Sequence, residues 1–352
     1  MKLDSYEDVL SSIEKNRNRD FHLLLGNGFS MAYDSQIFSY NALHEFVENL
    51  NDDEISKILS VIETKNFELV MQHLETLSAL IDVFEGGDEL RASVESASTK
   101  LKNSLIDAVQ SLHPEHVFTV PESESAACAT FLNKYLERGG SVFSTNYDLL
   151  LYWILMRSNM VEHNDGFGRD AENFEPGIAK EDIEWSDLYW GRSKDEQNVF
   201  YVHGALPFFD GGSEVIKETY DQNSYLLEKI SARMDKGEYP IFVTAGNGEE
   251  KLTHIKHNHY LSHCYDQLSE ITGSLVTFGF NFGPYDEHII KAINQAAKNG
   301  MKEFPKLLSV YIGVYSEQDR QYIEQIKPKF KTKVRVFDAR TVDVWGKNET
   351  RY

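Results

Sequence analysis

A short apolar strand that runs into a glycine turn constrains this chain more than any other stretch. Residues 21–25 read Phe-His-Leu-Leu-Leu and lead into Gly26-Asn27-Gly28, with Ser30 two residues later. An apolar run of this length without proline predicts a buried strand. Glycines permit a positive φ or a close backbone approach to a ligand, and a following helix N-terminus favours a pyrophosphate. The turn therefore predicts a nucleotide site. A plain strand-to-helix connection is the alternative, because the third glycine of the dinucleotide fingerprint is missing.

The pattern of a strand with a polar or glycine-rich end recurs along the chain. Further strands are predicted at 141–148, 198–202, 240–245, 275–280, 307–314 and 334–337, with helical patterns between them. Strands that alternate with helices predict a doubly wound, mostly parallel, Rossmann-like α/β sheet. Ligands of such sheets bind outside the carboxyl ends of the strands.

We interpret residues 1–352 as a single α/β domain. The start signal Ser5-x-x-Asp8 predicts a first helix over 5–15. A helical pattern over about 40–125 predicts a helical insertion between the first two strands of the sheet. Residues 162–197 are rich in Asp, Glu and Gly and predict an irregular surface insertion or lid.

Charge and composition exclude several function classes. A formal net charge of −21 argues against direct binding to nucleic acids or anionic membranes, since both need a basic face, but it permits a local basic pocket for phosphates. The longest apolar run, 149–156, is too short for a membrane span, and the charged first twenty residues predict no signal peptide. Two cysteines provide neither a disulfide framework nor a four-cysteine zinc site. We expect a cytoplasmic protein without a metal cofactor.

Four predicted strand ends carry polar groups that would converge at one edge of the sheet. They are Gly26-Asn27-Gly28-Phe29-Ser30, Thr145-Asn146-Tyr147-Asp148, His203-Gly204 and Gly279-Phe280-Asn281. Each has a structural alternative, since Asn146 and Asp148 are typical helix caps and His203 is typical of a hydrogen-bonded core histidine. A second histidine cluster at 254–263 includes His259 and His263 at a spacing that can hold a metal. Without an accompanying motif, a solvated or core-packed helix is favoured there.

Together and in this order, the four strand ends resemble the sirtuin-like NAD-consuming superfamily. That family has a Gly-Ala-Gly-x-Ser loop, then Thr-x-Asn-x-Asp, then a strand ending in His-Gly, then Gly-x-Ser. Two elements match in Thr145, Asn146, Asp148, His203 and Gly204. The first element is altered at Asn27 and the fourth at Asn281. The resemblance covers roughly residues 20–340 and looks closest to bacterial sirtuin-like proteins without deacylase features, several of which serve in anti-phage defence.

The resemblance implies a division of roles around NAD as the substrate. Asn146 would hydrogen-bond the nicotinamide ribose and orient a water molecule. His203 would bond the ribose hydroxyls and accept a proton, and Asp148 would orient Asn146 or favour the developing positive charge. The implied contacts to the rest of NAD are Gly26, Asn27, Gly28, Ser30, Thr145, Gly279 and Asn281.

The implied reaction is hydrolysis of NAD to nicotinamide and ADP-ribose. Protein deacylases of this superfamily carry a four-cysteine zinc ribbon and a Pro-Asp-Phe-Arg stretch after the glycine loop, whereas residues 31–34 read Met-Ala-Tyr-Asp. Deacylation is therefore not expected. The alternative function is a non-catalytic module that binds NAD or an ADP-ribose derivative and signals to a partner. In either case we expect a homo-oligomer or a partner subunit.

Overall fold

Two β-sheets organise the protein. A computed structural model describes residues 3–15, 19–38, 52–62, 67–83, 87–159, 162–173, 178–179, 182–220, 224–236, 238–243, 247–298 and 306–347. The strands in this part of the chain are β1 (Phe21–Leu25), β2 (Val142–Ser144), β3 (Phe167–Gly168), β4 (Leu188–Trp190), β5 (Val199–Tyr201), β6 (Gly204–Asp210), β7 (Val215–Lys217), β8 (Pro240–Phe242), β9 (Gly273–Phe278), β10 (Leu307–Val314) and β11 (Lys333–Asp338). They form a six-stranded sheet in the order β11-β10-β9-β1-β2-β5 and a five-stranded sheet in the order β3-β4-β7-β6-β8.

Helices separate most strands of the larger sheet. They are α1 (Tyr6–Glu14), α2 (Gly28–Tyr33), α3 (Ser35–Phe38), α4 (Asp53–Ile62), α5 (Phe67–Val83), α6 (Asp88–Leu112), α7 (Glu122–Leu136), α8 (Leu150–Arg157), α9 (Leu226–Met234), α10 (Gly248–His257), α11 (His259–Leu268), α12 (Glu287–Lys298) and α13 (Glu317–Ile326). None of these helices has both the length and the apolar character needed to cross a bilayer.

All pairings in the six-stranded sheet are parallel, which confirms the predicted α/β, Rossmann-like fold. The five residues of β1 are all buried, as expected for a strand whose two faces are both covered by other layers. The predicted first helix is also confirmed. Ser5 and Asp8 form a reciprocal capping box at the start of α1, which satisfies two otherwise unpaired backbone N–H groups.

The region between β1 and β2 contains a helical block with its own core. Helices α4, α5 and α6 bury a separate cluster of apolar side chains against one another: Ile55, Leu59, Val70, Met71, Leu74, Ile81, Val94, Ala97 and Leu101. These helices lie within the segment 40–125 for which the sequence predicts a helical insertion. Residues 40–51, 63–66 and 84–86 of that segment lie outside the described part of the chain.

The five-stranded sheet is antiparallel and was not predicted. Residues 240–242 form β8 of this sheet, so the assignment of the predicted strand at 240–245 to the parallel sheet is wrong; residues 244–246 lie outside the described part of the chain. The segment 162–197 contributes β3 and β4 and is therefore not wholly irregular. The strands β3, β4 and β7 have only two or three residues, which is too short for a two-residue periodicity to show in the sequence.

Candidate active site

Four adjacent parallel strands end at a common row of paired residues. Leu25 of β1 is paired with Ser144 of β2 and with Phe278 of β9. Ser144 is in turn paired with Tyr201 of β5. The polar segments that follow these four residues therefore leave the sheet at one edge. This edge is the carboxyl end of the strands, where doubly wound sheets bind their ligands.

A buried chain of hydrogen bonds joins the ends of β1 and β2. Ser30, which is fully buried in α2, donates from Oγ to Asp148 Oδ2 at 2.5 Å. Asn146 donates from Nδ2 to Ser30 Oγ at 2.9 Å. Asp148 Oδ1 accepts the N–H of Leu150 at 2.9 Å, at the start of α8. Asp148 thus orients Asn146 through the Ser30 hydroxyl, and the same carboxylate satisfies a backbone donor of the following helix.

His113, which the sequence analysis missed, holds the segment that carries Asp148 through a hydrogen bond with Leu149. His113 Nε2 accepts the N–H of Leu149 at 2.9 Å, so Nδ1 is the protonated nitrogen that donates to Pro114 O at 3.0 Å. Burial lowers the pKa of His113, which keeps the imidazole in the neutral form that this arrangement requires. No local signal marks His113, because its contact with Leu149 spans 36 residues.

The glycine turn packs against the end of β9. Gly26 and Gly28 are not among the residues of positive φ, so the close backbone approach is what these glycines permit here. A Cβ atom on Gly28 would lie 2.5 Å from Gly279 Cα, and one on Gly26 would lie 2.6 Å from Gly279 O. The N–H of Gly28 donates to Gly279 O at 2.9 Å and that of Gly26 donates to Phe278 O at 3.1 Å. The close backbone approach that these glycines permit is therefore an approach to β9.

Thr145, Asn281 and Asn27, the remaining predicted NAD contacts, differ in their surroundings. Thr145 donates from its backbone N and from Oγ1 to Leu25 O, at 3.0 and 3.2 Å, and so ties β2 to β1. Asn281 is exposed and closes a local turn, with its Oδ1 accepting the N–H of Gly283 at 3.2 Å. Asn27 precedes α2 without capping it through its side chain.

His203 lies where the chain passes from one sheet to the other. It lies two residues after the end of β5, and its carbonyl oxygen accepts the N–H of Val243 at 2.9 Å. The next residue, Gly204, has φ +81°, a left-handed conformation that side chains disfavour. A Cβ there would meet Ile241 O at 2.0 Å. A glycine is needed after His203 because it permits the turn from β5 into β6 that places the imidazole at this edge.

The imidazole of His203 forms a pair with His288, a residue of α12 that the sequence analysis did not single out. Their Nε2 atoms are 2.8 Å apart, and the ring centroids are 5.0 Å apart in a stacked arrangement. Burial lowers the pKa of His203 well below its ordinary value, with further contributions from His288 and Lys251. Burial also lowers the pKa of His288 to about 3, again with a contribution from Lys251. Both rings are therefore neutral near pH 7, and one Nε2 donates its proton to the other.

Lys251 and Asp286 form an ion pair next to the two histidines. Lys251 is fully buried, and its Nζ lies 3.3 Å from Asp286 Oδ1. The ligand atoms of His203, Asp286 and His288 lie within 4.8 Å of one another, the one set of this kind in the described part of the chain. The histidines at 254–263 do not form such a set. Because the lysine already compensates the Asp286 carboxylate, a further positive charge is disfavoured and the geometry fits a neutral imidazole pair better than a bound cation.

A protein-family model described as a domain of unknown function (DUF4917) matches residues 23–345. The chain belongs to this family. The matched span of the DUF4917 family begins within β1 and ends at Trp345, whose Nε1 donates to Phe29 O at 3.1 Å. Both ends of the family's span thus meet at the glycine turn. No curated protein is significantly similar to the chain.

Proposed function

We propose that this protein hydrolyses NAD at the bond between nicotinamide and ribose, releasing nicotinamide and ADP-ribose. The observation that carries the proposal is the buried chain from Asn146 through Ser30 to Asp148 at the carboxyl ends of β1 and β2. His203 follows the neighbouring strand β5 at the same edge of the sheet. The combination supports a site that holds a ribose between an oriented amide and a neutral imidazole.

The reaction needs positioning more than a strong acid or base. The bond from ribose C1′ to the nicotinamide nitrogen breaks, and nicotinamide leaves as a neutral molecule. The oxygen of a water molecule bonds to C1′ and its proton is released. The transition state resembles an oxocarbenium ion, so a fixed dipole and a placed water molecule supply most of the acceleration.

Asn146 is prepared for this positioning role. Its Nδ2 is held by Ser30, and Ser30 is held by Asp148, so the amide is oriented before any ligand binds. A side chain held by a second layer of hydrogen bonds loses little entropy when the substrate arrives. We assign Asn146 to the ribose and the attacking water, and Asp148 to the support of Asn146.

His203 suits a hydrogen bond to a ribose hydroxyl. Its pKa is lowered by burial, by His288 and by Lys251, so the ring is neutral and carries one nitrogen able to accept. A neutral ring also avoids electrostatic repulsion of the positive charge that develops on the ribose.

We further propose that the protein is an anti-phage effector that acts as a homo-oligomer or with a partner subunit, because an enzyme that consumes NAD must be restrained until it is needed.

The test is release of free nicotinamide from NAD by the purified protein, alone and with cell extract that can supply an activator. Asn146→Ala and His203→Ala should each lower turnover by about 10²–10⁴-fold, while NAD affinity changes little, because both residues act at the reacting ribose. The matched control is Asn133→Ala, on the exposed side of α7, where the side chain contacts Glu137. This variant should retain the wild-type rate.

Two outcomes would contradict the assignment. An Asn146→Ala variant that releases nicotinamide at the wild-type rate shows that the amide has no catalytic role. A wild type that binds NAD but never cleaves it supports the alternative function, a module that senses NAD or an ADP-ribose derivative. The altered glycine loop, with Asn27 where the resembled superfamily has alanine, is the observation that favours this alternative.

A further inference from the structure

A groove along α12 has a positively charged lining, although the chain as a whole is acidic. It is a cavity of about 640 Å³ between α10, α12 and the segment 329–331. Four lysines and two glutamates supply its charged lining: Lys291, Lys298, Lys329, Lys331, Glu249 and Glu287. The lining is therefore net positive in a chain whose formal charge is −21. A local excess of lysine in an acidic protein concentrates a positive potential at this one place.

Of the four lysines, only Lys329 forms an ion pair with a described side chain. Lys291 and Lys298 stand seven residues apart on α12 and so lie on the same face of the helix. Lys329 is paired with Glu287 at 2.5 Å. Lys291, Lys298 and Lys331 form no ion pair with any described side chain. These three ammonium groups outnumber the one other glutamate of the lining, Glu249, so the cavity favours an anion.

A second and independent feature lies in the wall of the groove. His288 lines the cavity although only 1% of its surface is exposed. Its Nε2 is engaged with His203, but its Nδ1 has no hydrogen-bond partner in the described structure. A buried nitrogen without a partner costs free energy, and a ligand oxygen or a bridging water would satisfy it.

We propose that this groove binds a small phosphorylated molecule, separate from the site at the glycine turn. The volume is in the range of about 300–1,000 Å³ typical of ligand cavities. Lysine ammonium groups bind phosphates as point charges. The overall charge of the chain repels nucleic acid, so a compact ligand with two or three phosphates fits better than a polymer.

The groove also communicates with the candidate active site. His288 lies in its wall and is bonded to His203, so a bound anion alters the electrostatic environment of that pair. This regulatory consequence rests on the proposed function, whereas anion binding in the groove does not.

Isothermal titration with inorganic triphosphate tests the binding. The wild type should bind with an affinity that falls as sodium chloride is added. The double variant Lys291→Glu with Lys331→Glu should bind roughly tenfold more weakly or worse, because two attractions become repulsions. The matched control is Lys15→Glu with Lys236→Glu, which makes the same charge change at two exposed lysines, one just after α1 and one just after α9. The control should retain the wild-type affinity, and thermal melts should show all proteins folded.

Three results overturn the proposal. One is a wild type that binds no triphosphate in the millimolar range. Another is equal weakening in the groove variant and the control, which would reflect net charge alone. The third is a groove variant that binds triphosphate with the wild-type affinity, which would place the triphosphate outside the groove. None of these readouts requires NAD cleavage, so failure of the proposed function leaves the result intact.

Discussion

Replacing Ser30 with alanine is the most direct test of the buried hydrogen-bonded chain. The Ser30 hydroxyl donates to Asp148 at 2.5 Å and accepts from Asn146 at 2.9 Å. All three side chains are at least nine-tenths buried, so water does not readily replace the lost partner. The substitution leaves one carboxylate oxygen and one amide nitrogen without the bonds that hold them.

The expected cost follows from the type of each bond. A hydrogen bond to a carboxylate contributes about 1.5–3 kcal/mol and a neutral one about 0.5–1.5 kcal/mol. Ser30→Ala should therefore lower the free energy of unfolding by about 2–4.5 kcal/mol. The matched control is Ser274→Ala in β9, a fully buried serine with one neutral partner, Ser309, at 3.0 Å. That variant should lose only about 1 kcal/mol.

Urea unfolding followed by far-ultraviolet circular dichroism measures both variants against the wild type. The slope of each transition is compared first, so that a change in midpoint reports stability alone. Nicotinamide release provides a second readout. Ser30→Ala should reduce it more than Ser274→Ala, because the Asn146 amide loses its orientation. The reasoning is refuted if the two variants lose the same free energy of unfolding, since the Ser30 hydroxyl would then be no more than an ordinary buried group.

Two further predictions concern pH and substrate. Stability should fall as the pH drops from about 6.5 toward about 3, because the unfolded chain takes up protons that the buried His203 and His288 refuse, at up to ~1.4 kcal/mol per pH unit for each. His288→Asn should flatten this dependence in urea unfolding between about pH 5 and 6. An unchanged slope for His288→Asn would mean that His288 is protonated in the folded protein. An acetyl-lysine peptide supplied with NAD should yield no O-acetyl-ADP-ribose, since residues 31–34 lack the Pro-Asp-Phe-Arg stretch. Detection of that product by mass spectrometry would assign the protein a different reaction.

The sequence by itself determined the features that depend on neighbouring residues. A run of apolar residues predicted β1 because a strand covered on both faces needs no polar alternation. The Ser5 and Asp8 capping box predicted the start of α1, because both partners lie within one helical turn. The alternation of strands and helices then favoured a parallel sheet, since parallel strands need a crossover connection. Polar residues at the strand ends pointed to its carboxyl edge.

Only the tertiary structure decided how those ends are joined. Ser30 and Asp148 are 118 residues apart, and His203 and His288 are 85 apart. The first contact depends on the pairing of β1 with β2 and on its register. The second depends on the position of α12 next to the end of β5. The sequence likewise predicted that the glycines permit a close approach, but not that they approach Gly279, the residue after β9. Hydrophobic patterns report whether a segment is buried, whereas the partner of a buried polar group is fixed by sheet order and register, which no local pattern encodes.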